Sequence, residues 1–452
     1  MSSLVFGGLD VHKESISVCL ITQQGRELVQ MQLANDELKL LAAVRRWQKL
    51  GELRLCYEAS GATFPALVND EAVIPAMLAR GVKLEHAREY TFVGCGQVYP
   101  HGRGHGNYED VVINAAKPLE WALNDGIDPV TGERRGPATG APEALTTWEA
   151  FEAAYRAQMT AHIDEQVAHI NARRAASAGH AVDYMRSLLT WSCVERGLDW
   201  HAGGADYSEG MIDMVGLTTV TDSLYAIRAA VYEERRLTLA ELVAVLNSNW
   251  EGHEGLRQYL LKHVAKFGNG SDDADARTAA EVARINDEIK THRTLFGGPW
   301  GMDIIGWSGS VIYGEQTGAT PDGRRKGEAL ADCAGPAQGR NTRGIAPTLE
   351  AALRLPHCAA HGPMALSLRF PQSAVQGREG HAALRAAIET YFQGGGQHLQ
   401  ISIASSEDMR AAQAQPEQWS DLMVRVGGFS AYFTQLEKRF QDDMIARSEL
   451  EL

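Results

Sequence analysis

From Phe64 to the end of the chain, stretches with helical spacing alternate with glycine-rich loops, and this alternation limits the possible folds more than any other feature. Two long helical stretches cover residues 144–179 and 237–265. The segment GNGSDDADARTAAEV has the signal of a loop followed by an acid-rich helix start. Short apolar runs that are typical of strands, such as YTFVG and LMVRV, lie between such stretches. The pattern predicts an α/β architecture in which helices pack around strands. With 44% hydrophobic residues, the 452-residue chain can build a large core.

The first 60 residues have a different pattern, with mostly strand-like segments. Three runs, LVFGGLDV, SISVCLI and GRELVQMQL, have the β-branched and alternating pattern of strands. A stretch with helical spacing follows, with Asn35 or Asp36 as its expected N-cap, and then a short strand, LRLCYEAS. The sequence therefore predicts a compact ββ-β-α-β unit that ends near Gly61, with a domain boundary between residues 60 and 64.

Two acidic residues, Asp10 and Glu58, lie within or at the end of these apolar strands. A carboxylate in an apolar strand is costly unless it is paired or used. Two such carboxylates on neighbouring strands could bind a divalent metal through oxygen ligands, as in nucleases. The alternative is that both are strand-end residues that face solvent. The local sequence favours this alternative.

Charge and composition exclude some classes of function. A formal net charge of -14 argues against a general nucleic-acid-binding surface, which would normally be basic. No apolar run approaches the ~20 residues that span a bilayer, and Asp10 interrupts the N-terminus where a signal peptide would be apolar. We therefore expect a cytoplasmic protein without membrane contact. Six widely spaced cysteines without a CxxC pair make a zinc site or a redox dithiol improbable.

One cysteine, Cys95, lies in an unusual setting. A strand-like run leads into it, glycines flank it, and Tyr99, His101 and His105 follow in a glycine-rich segment. Flanking glycines allow a tight loop that presents the sulfur at its tip. The other interpretation is an inert, buried cysteine beside an ordinary loop.

A second segment, VRVGGFSAYF, joins a strand-like run to a Gly-Gly pair, and an amphipathic helix is predicted after it. In an apolar context such a pair indicates a turn or a close backbone approach.

Together these segments resemble the glycyl radical enzymes, the family of pyruvate formate-lyase. VRVGGFSAYF resembles the C-terminal signature of that family, and FVGCGQ resembles the loop whose cysteine becomes a thiyl radical. The resemblance places the radical glycine at Gly428, the motif arginine at Arg425, and Phe429 where the family usually has tyrosine. Further blocks follow in family order between Phe64 and Arg447, among them KPLEWALNDGIDPVTG, SCVERGLDWHAGGADYSEGM, TGATPDGRRKGEALAD and GGGQHLQ.

The chemistry explains these residue types. A radical on a glycine Cα is delocalised between the amide nitrogen and the carbonyl, and without a Cβ the centre can become planar. A thiol can exchange a hydrogen atom with that Cα at little energetic cost. The resemblance therefore implies that Gly428 stores the radical and that Cys95 uses it to take hydrogen from a small organic substrate.

Departures from the family pattern narrow the reaction. Pyruvate formate-lyase uses two adjacent cysteines for acyl transfer, whereas glycines flank Cys95, so a lyase or dehydratase is favoured. Many eliminating members carry a glutamate base two residues after the cysteine, where this chain has Gln97. An acid–base role would then fall to another group, and Tyr99, His101 and His105 are candidates by type. His398, Arg425 and Phe429 are expected to support the glycyl loop. Asp322 and Arg324 in TPDGRR are expected to hold a turn.

The resemblance also implies the fold and the partners. The family has a ten-stranded α/β barrel made of two halves, and this chain matches the later half. We expect a barrel half with the cysteine loop at residues 63–325 and a glycine radical domain at 326–452. The implied cofactor is a post-translational glycyl radical, with no diffusible cofactor and no metal. The implied partners are a radical S-adenosylmethionine activating enzyme and, if the barrel is complete, a second copy in a homodimer.

Residues 1–62 carry a separate resemblance. GLDVHKESISVCLI and CYEASG resemble the start of DEDD-type insertion-sequence transposases, which have a RuvC-like nuclease fold, with Asp10 and Glu58 as the first two acids. The later aspartates of that family are absent, and an incomplete acid set cannot form a two-metal clamp. Three expectations follow: a glycyl radical enzyme, inactive if the first barrel half is needed; a transposase fragment acting on DNA; or a non-catalytic fusion.

Overall fold

The computed structural model describes residues 4–450, except 12–14, 23–25, 35–38, 40–41, 44–45, 48, 51, 60–65, 94 and 106–109. The strands, in chain order, are β1 Leu4–Val11, β2 Ser15–Thr22, β3 Glu27–Ala34, β4 Glu52–Ala59, β5 Ala66–Val68, β6 Tyr90–Val93, β7 Gln97–Pro100, β8 Gly104–His105, β9 Val111–Asn114, β10 Tyr207–Ser208, β11 Gly210–Val215, β12 Trp300–Asp303, β13 Ala365–Phe370, β14 His398–Ile403, β15 Met423–Arg425 and β16 Ser430–Tyr432.

The helices surround these strands. They are α1 Asp70–Ala79, α2 Leu84–Arg88, α3 Ala116–Leu123, α4 Trp148–His180, α5 Tyr184–Leu189, α6 Trp191–Arg196, α7 Leu217–Ile227, α8 Leu239–Asn247, α9 Glu254–Lys262, α10 Asp272–Ile289, α11 Gly309–Glu315, α12 Ile345–Leu353, α13 Gln372–Val375, α14 Gly377–Gln393, α15 Ser406–Ala414 and α16 Lys438–Ala446.

Parallel strands form the centre of the fold. Strand β11 pairs in parallel with β9 on one side and β12 on the other, and β13 pairs in parallel with β14. A parallel bridge between Ile304 and Met364 joins these two groups. The described order is therefore β9-β11-β12-β13-β14, with β5 antiparallel to β14 at the end. This arrangement agrees with the predicted α/β class. It also joins both sides of the predicted boundary at 325/326, because β12 and β13 are bridged.

The two faces of the central strands have different neighbours, because successive side chains of a strand point to opposite faces. Ile212 and Met214 of β11, and Trp300 and Met302 of β12, belong to the large core that the helices cover. The alternate residues, including Asp213 and Asp303, lie on the other face, and both are fully buried. This inner face is where the two loops of interest are found.

The long helices follow from their apolar spacing and their caps. In α4, the buried residues Phe151, Tyr155, Met159 and Ile163 recur every three or four positions, and the Thr147 side chain caps the N-terminus by accepting from Ala150 N. In α10, the Ser271 side chain caps a first turn that carries three aspartates, which favour the positive end of the helix dipole. Both helices agree with the sequence prediction.

The segment after the Gly-Gly pair differs from the prediction. Instead of passing directly into a helix, the chain reverses and forms β16, which pairs antiparallel with β15. Positive φ angles of 140° at Gly427 and 73° at Gly428 allow the reversal. The predicted amphipathic helix begins only at Lys438. The Gly-Gly pair is therefore the tip of a β-hairpin.

The N-terminal strands form a separate four-stranded sheet with the order β3-β2-β1-β4, in which β1 and β4 are parallel. Residues 39, 42–43 and 46–47, between β3 and β4, are helical, so the predicted ββ-β-α-β order is confirmed. Asp10 and Glu58 occupy the same register position on β1 and β4. Their side chains, and the predicted caps Asn35 and Asp36, lie outside the described part of the chain.

The described residues contain neither a membrane-spanning helix nor a metal-binding cluster. No described helix is long and apolar enough to cross a membrane. Among the side chains that the structure describes, no three His, Cys, Asp or Glu residues form a group that could bind a metal. The described cysteines, Cys19, Cys95, Cys193, Cys333 and Cys358, form no disulfide with one another.

Candidate active site

The cysteine loop is the tip of a hairpin. Strands β6 and β7 pair antiparallel up to Val93 and Gln97, and Gly96 N donates a hydrogen bond of 3.2 Å to Val93 O. Gly96 has a φ of 117°, which only glycine adopts readily. This tight reversal places Cys95 at the tip, half-buried against Ile305, Cys333 and Ala365. The predicted loop with the sulfur at its end is therefore what the chain forms.

The glycyl loop is a second hairpin tip. Arg425 of β15 pairs with Ser430 of β16, and Val426 N donates to Phe429 O at 3.0 Å. Gly427 and Gly428 occupy the tip and are both buried. Gly427 packs so closely against Gly306 that a side chain at Gly427 would overlap the Gly306 carbonyl oxygen. The backbone conformation thus requires glycine at both positions. At Gly427 the close contact with Gly306 also leaves no room for a side chain.

The two tips meet. A Cβ atom placed on Gly428 would overlap the Cβ and Sγ of Cys95 and would lie 3.1 Å from the Cys95 Cα. Glycine carries a hydrogen atom at the position where an L residue carries its Cβ. At Gly428 this hydrogen therefore points at the Cys95 thiol. Two residues from distant parts of the sequence are therefore in contact.

Strand β14 supports the glycyl loop from one side. Gln400 Oε1 accepts two hydrogen bonds, from Gly428 N at 3.0 Å and from Arg425 Nε at 3.1 Å. Arg425 Nη1 also donates to Ser430 Oγ at 3.4 Å across the hairpin. The predicted support role of Arg425 agrees with these contacts. Gln400 connects the arginine to the backbone of the radical glycine, and the sequence analysis did not single it out.

His398 contacts the other loop. It precedes Gln400 by two residues and points to the same face of β14, where a side chain on Gly96 would overlap the imidazole Cε1 atom. His398 therefore packs under the cysteine loop, and its support of the glycyl loop stays a prediction. Burial, together with the nearby Arg425 guanidinium, lowers the pKa of His398 to about 3. The imidazole is neutral at physiological pH.

This pKa predicts how His398 affects stability with pH. Below its ordinary value of 6.5 the unfolded chain binds a proton on His398, whereas the folded chain does so only near pH 3. His398 therefore lowers the stability of the wild type as the pH falls. We expect the stability advantage of wild type over His398→Gln to shrink by roughly 1.4 kcal/mol per pH unit between pH 6.5 and 3. Urea unfolding at several pH values measures this difference, and an advantage that grows on acidification would contradict it.

A third segment lies behind both tips. Gly306 N donates to Cys333 Sγ at 2.9 Å, while the Gly306 carbonyl lies against Gly427. Cys333 is buried with a φ of 53°, and burial raises the pKa of its thiol well above its ordinary value. Because it is held as a neutral thiol, Cys333 serves here as a packing group for the backbone that contacts the glycyl loop.

Gln97 connects the cysteine loop to a buried carboxylate. Its Nε2 donates to Asp303 Oδ2 at 3.0 Å, and both side chains are fully buried. Asp303 pairs in register with Asp213 of the neighbouring parallel strand, and Asp213 Oδ1 accepts from Ile305 N at 3.2 Å. Gln97, two residues after Cys95, is thus hydrogen-bonded to a carboxyl group of β12.

The other acid–base candidates lie further along the chain. Tyr99 is buried, and burial raises the pKa of its phenol well above its ordinary value. His101 is exposed in the turn after β7. His105 is buried against Trp200 and Phe296, and burial lowers its pKa to about 4. The described contacts of His101 and His105 do not include the thiol or the glycyl loop, so the structure does not bring these two histidines to the radical pair.

The turn that contains Asp322 and Arg324 has the predicted structural role. Asp322 Oδ1 accepts from Thr320 Oγ1 at 2.6 Å and from Arg324 N at 3.3 Å. The Arg324 guanidinium donates to the carbonyls of Gly314 and Gly318. These partners lie in the same loop or at the end of α11, so both residues stabilise the turn.

Two site residues could have been found from a signal already present in the sequence. Asp213 in GMIDMV and Asp303 in WGMDII are acidic residues inside apolar strands, the same signal that singled out Asp10. Gln400 could have been found because it lies two residues after His398 and so points to the same face of the strand.

Comparisons with known proteins agree with this geometry. The family profile described as "Pyruvate formate lyase-like" matches residues 44–314, and the profile described as "Glycine radical" matches residues 330–434. The chain is 33% identical over 407 residues to (2S)-3-sulfopropanediol dehydratase of Klebsiella oxytoca, which covers 86% of this chain and 48% of that protein.

Solved structures give the same result. A structure that describes 1,2-propanediol dehydration in Roseburia inulinivorans has a TM-score of 0.82 and 32% identity, covering 86% of this chain and 50% of its own. The glycerol-bound form of the B12-independent glycerol dehydratase from Clostridium butyricum has a TM-score of 0.83 and 29% identity, covering 95% of this chain and 56% of its own. The chain spans about half the length of the curated relatives it matches.

These matches do not support the predicted transposase-like fragment. The first profile begins at residue 44, so it includes Glu58 and the last part of the predicted fragment 1–62. The resemblance to transposases and the domain limits 1–62, 63–325 and 326–452 therefore stay predictions.

Proposed function

Because the chain belongs to the pyruvate formate lyase-like family, we propose that it is a glycyl radical lyase of the dehydratase type, with Gly428 and Cys95 as its radical residues. The observation that carries the proposal is the contact between the two hairpin tips, where one Cα hydrogen of Gly428 points at the Cys95 thiol. Neither residue requires another cofactor for the exchange of a hydrogen atom.

The proposed cycle uses only these two residues and the substrate. The Gly428 radical takes the hydrogen atom of the Cys95 thiol, which leaves a thiyl radical. The thiyl takes a hydrogen atom from a substrate carbon, and the substrate radical loses a leaving group. The product radical then takes the hydrogen back from Cys95, and the radical returns to Gly428. Burial of Gly428 protects the stored radical from solvent.

Elimination is favoured over acyl transfer. Acyl transfer of the pyruvate formate-lyase kind requires a second cysteine next to the first, and the neighbours of Cys95 are glycines. The relatives reported above are named for sulfopropanediol, 1,2-propanediol and glycerol, which all carry at least two hydroxyl groups. We therefore propose that the substrate is a small diol or polyol and that water is the group lost.

The proposed partner is a radical S-adenosylmethionine activating enzyme. Such an enzyme must reach the Gly428 Cα, yet Gly428 is buried under Cys95 and Gln400. The hairpin β15–β16 must therefore leave its place during activation. The cytoplasmic location and the homodimer remain predictions from the sequence.

The test is anaerobic activation of the full chain, followed by incubation with 1,2-propanediol, glycerol and 3-sulfopropanediol. We expect a carbonyl product from at least one diol, formed only after activation, and expect that exposure to oxygen cleaves the chain near residue 428. Absence of a glycine-centred doublet in electron paramagnetic resonance (EPR) would contradict the proposal.

DNA cleavage is not part of the proposed function. Asp10 and Glu58 share a register position on adjacent strands, which is compatible with a paired acid site. However, the resemblance supplies only two of the acids that a metal-dependent nuclease of that type needs. The net charge of -14 also opposes DNA binding.

A further inference from the structure

We propose that Asp303 is the acid–base catalytic residue of the elimination, that it shares one proton with Asp213, and that Gln97 positions it beside Cys95. The inference rests on the proposed function and deepens it, because it names the group that moves protons while Cys95 moves hydrogen atoms. It also explains how a chain with Gln97 in place of a glutamate can still lose water from a substrate.

The strand geometry places Asp303 on the side of the thiol. Met302 and Ile304 of the β12 segment point into the helix-covered core, so Asp303 and Ile305 point to the opposite face. Ile305 on that face packs against Cys95. Gln97, two residues after Cys95, donates to Asp303 Oδ2 at 3.0 Å. The carboxyl group and the thiol therefore share one side of the sheet and are linked through a short segment of β7.

Asp213 supplies a second carboxyl group at the same level. It is the register partner of Asp303 on the adjacent parallel strand, and such strands lie about 4.8 Å apart. Both side chains are fully buried. Two buried carboxylates at paired positions of adjacent strands repel each other when both are ionised, so we expect the pair to hold one proton. A pair with one proton contains an acid and a base together.

Two ion pairs lie in the buried neighbourhood of Asp303. Arg80 forms an ion pair of 3.2 Å with Glu209, and Arg174 forms one of 2.8 Å with Asp110. Both pairs belong to the same buried neighbourhood as Asp303. The charges of all these groups except Arg174 contribute to the shift in the pKa of Tyr99. A shared proton lowers the negative charge of Asp213 and Asp303.

The elimination of water needs this combination. After Cys95 removes a hydrogen atom from a hydroxyl-bearing carbon, the substrate radical must lose a hydroxyl group from the next carbon. The carboxylate takes the proton of the hydroxyl on the radical carbon, which becomes a carbonyl. The carboxylic acid gives a proton to the leaving hydroxyl, and water departs. The radical moves to the neighbouring carbon, the proton count of the pair is unchanged, and no oxidant or reductant is consumed.

The first test separates hydrogen-atom transfer from proton transfer. Activated full chain is incubated with 1,2-propanediol, glycerol and 3-sulfopropanediol in deuterium oxide. In Asp303→Asn the thiyl can still take and return hydrogen, so we expect deuterium to enter the recovered diol. Product formation should fall about 100-fold or more. A merely structural role for Asp303 predicts loss of both exchange and product, and unchanged product formation would overturn the proposal.

Two further variants show whether the effect of Asp303→Asn comes from misfolding. The double change Gln97→Glu with Asp303→Asn exchanges carboxylate and amide while keeping the hydrogen bond and the net charge, and we expect it to recover product formation relative to Asp303→Asn. Asp206→Asn removes an exposed carboxylate that pairs only with Arg103 among the ion pairs described, and we expect wild-type behaviour. Failure of the double change together with normal folding would count against an acid–base role.

The second test needs no substrate. Difference infrared spectroscopy of wild type against Asp303→Asn at neutral pH should show the carbonyl stretch of a protonated carboxylic acid that is lost in the variant. A spectrum without that band would overturn the shared proton. The EPR doublet of the same samples tests the proposed function separately. A normal doublet without the infrared band contradicts only the present inference.

Discussion

Replacing Gly428 by alanine is expected to abolish the glycine-centred EPR doublet completely. An alanine Cβ would overlap the Cβ and Sγ of Cys95, and a φ of 73° is disfavoured for any residue with a side chain. The methyl group would also replace the hydrogen that points at the thiol. EPR after anaerobic activation measures the outcome, and we expect no signal above that of unactivated protein.

The matched control is Gly395→Ala. Gly395 has a similar positive φ of 92° but open space where a Cβ would be, so this variant has the same backbone penalty without the overlap. We expect it to lose only about 1 kcal/mol of stability and to keep the doublet. An undiminished doublet in Gly428→Ala would show that the radical resides elsewhere.

Replacing Cys95 by serine is expected to remove turnover of every diol tested while leaving the doublet in place. Serine is similar in size, so the hairpin tip and its contact with Gly428 should persist. An alcohol O–H bond is much stronger than a thiol S–H bond, so the glycyl radical cannot take hydrogen from serine. We expect product formation to fall below detection, measured as carbonyl product per unit of EPR signal.

Cys358→Ser serves as the control for this variant, because Cys358 is exposed and belongs to none of the hydrophobic clusters around the described site. It should turn over diols as the wild type does. Turnover that survives in Cys95→Ser would mean that another group, such as the buried Cys333, carries the reactive radical.

The sequence predicted the elements well where a local pattern decides them. Thr147 and Ser271 are capping residues before α4 and α10, and these helices formed as expected. The four strands before residue 60 also formed in the predicted order. The helix predicted after Gly427 and Gly428 begins only at Lys438, because positive φ at these glycines allows the chain to reverse and pair β15 with β16. Pairing between strands is a tertiary effect that helical spacing does not reveal.

The site was predicted only because several segments that resemble the family follow one another in the family's order along the chain. Locally, Cys95 and Gly428 each favoured an ordinary structural role, and their contact depends on two hairpins that are distant in the sequence. Which residue supports which loop could not be predicted either. His398 and Gln400 are two positions apart on β14, yet one packs under Gly96 and the other binds Gly428 N. Asp303 has the sequence signal of an acid inside an apolar strand, but its contact with Gln97 across the inner face could not be predicted.

The most direct test of the central claim, hydrogen exchange between Gly428 and Cys95, is EPR of the activated chain in deuterium oxide. The Cys95 thiol exchanges its hydrogen with solvent and would pass deuterium to the Gly428 Cα. We predict that the doublet of the wild type collapses to a single line, while the doublet of Cys95→Ser stays split. A wild-type doublet that remains split, or a collapse that proceeds equally in Cys95→Ser, would contradict the radical pair.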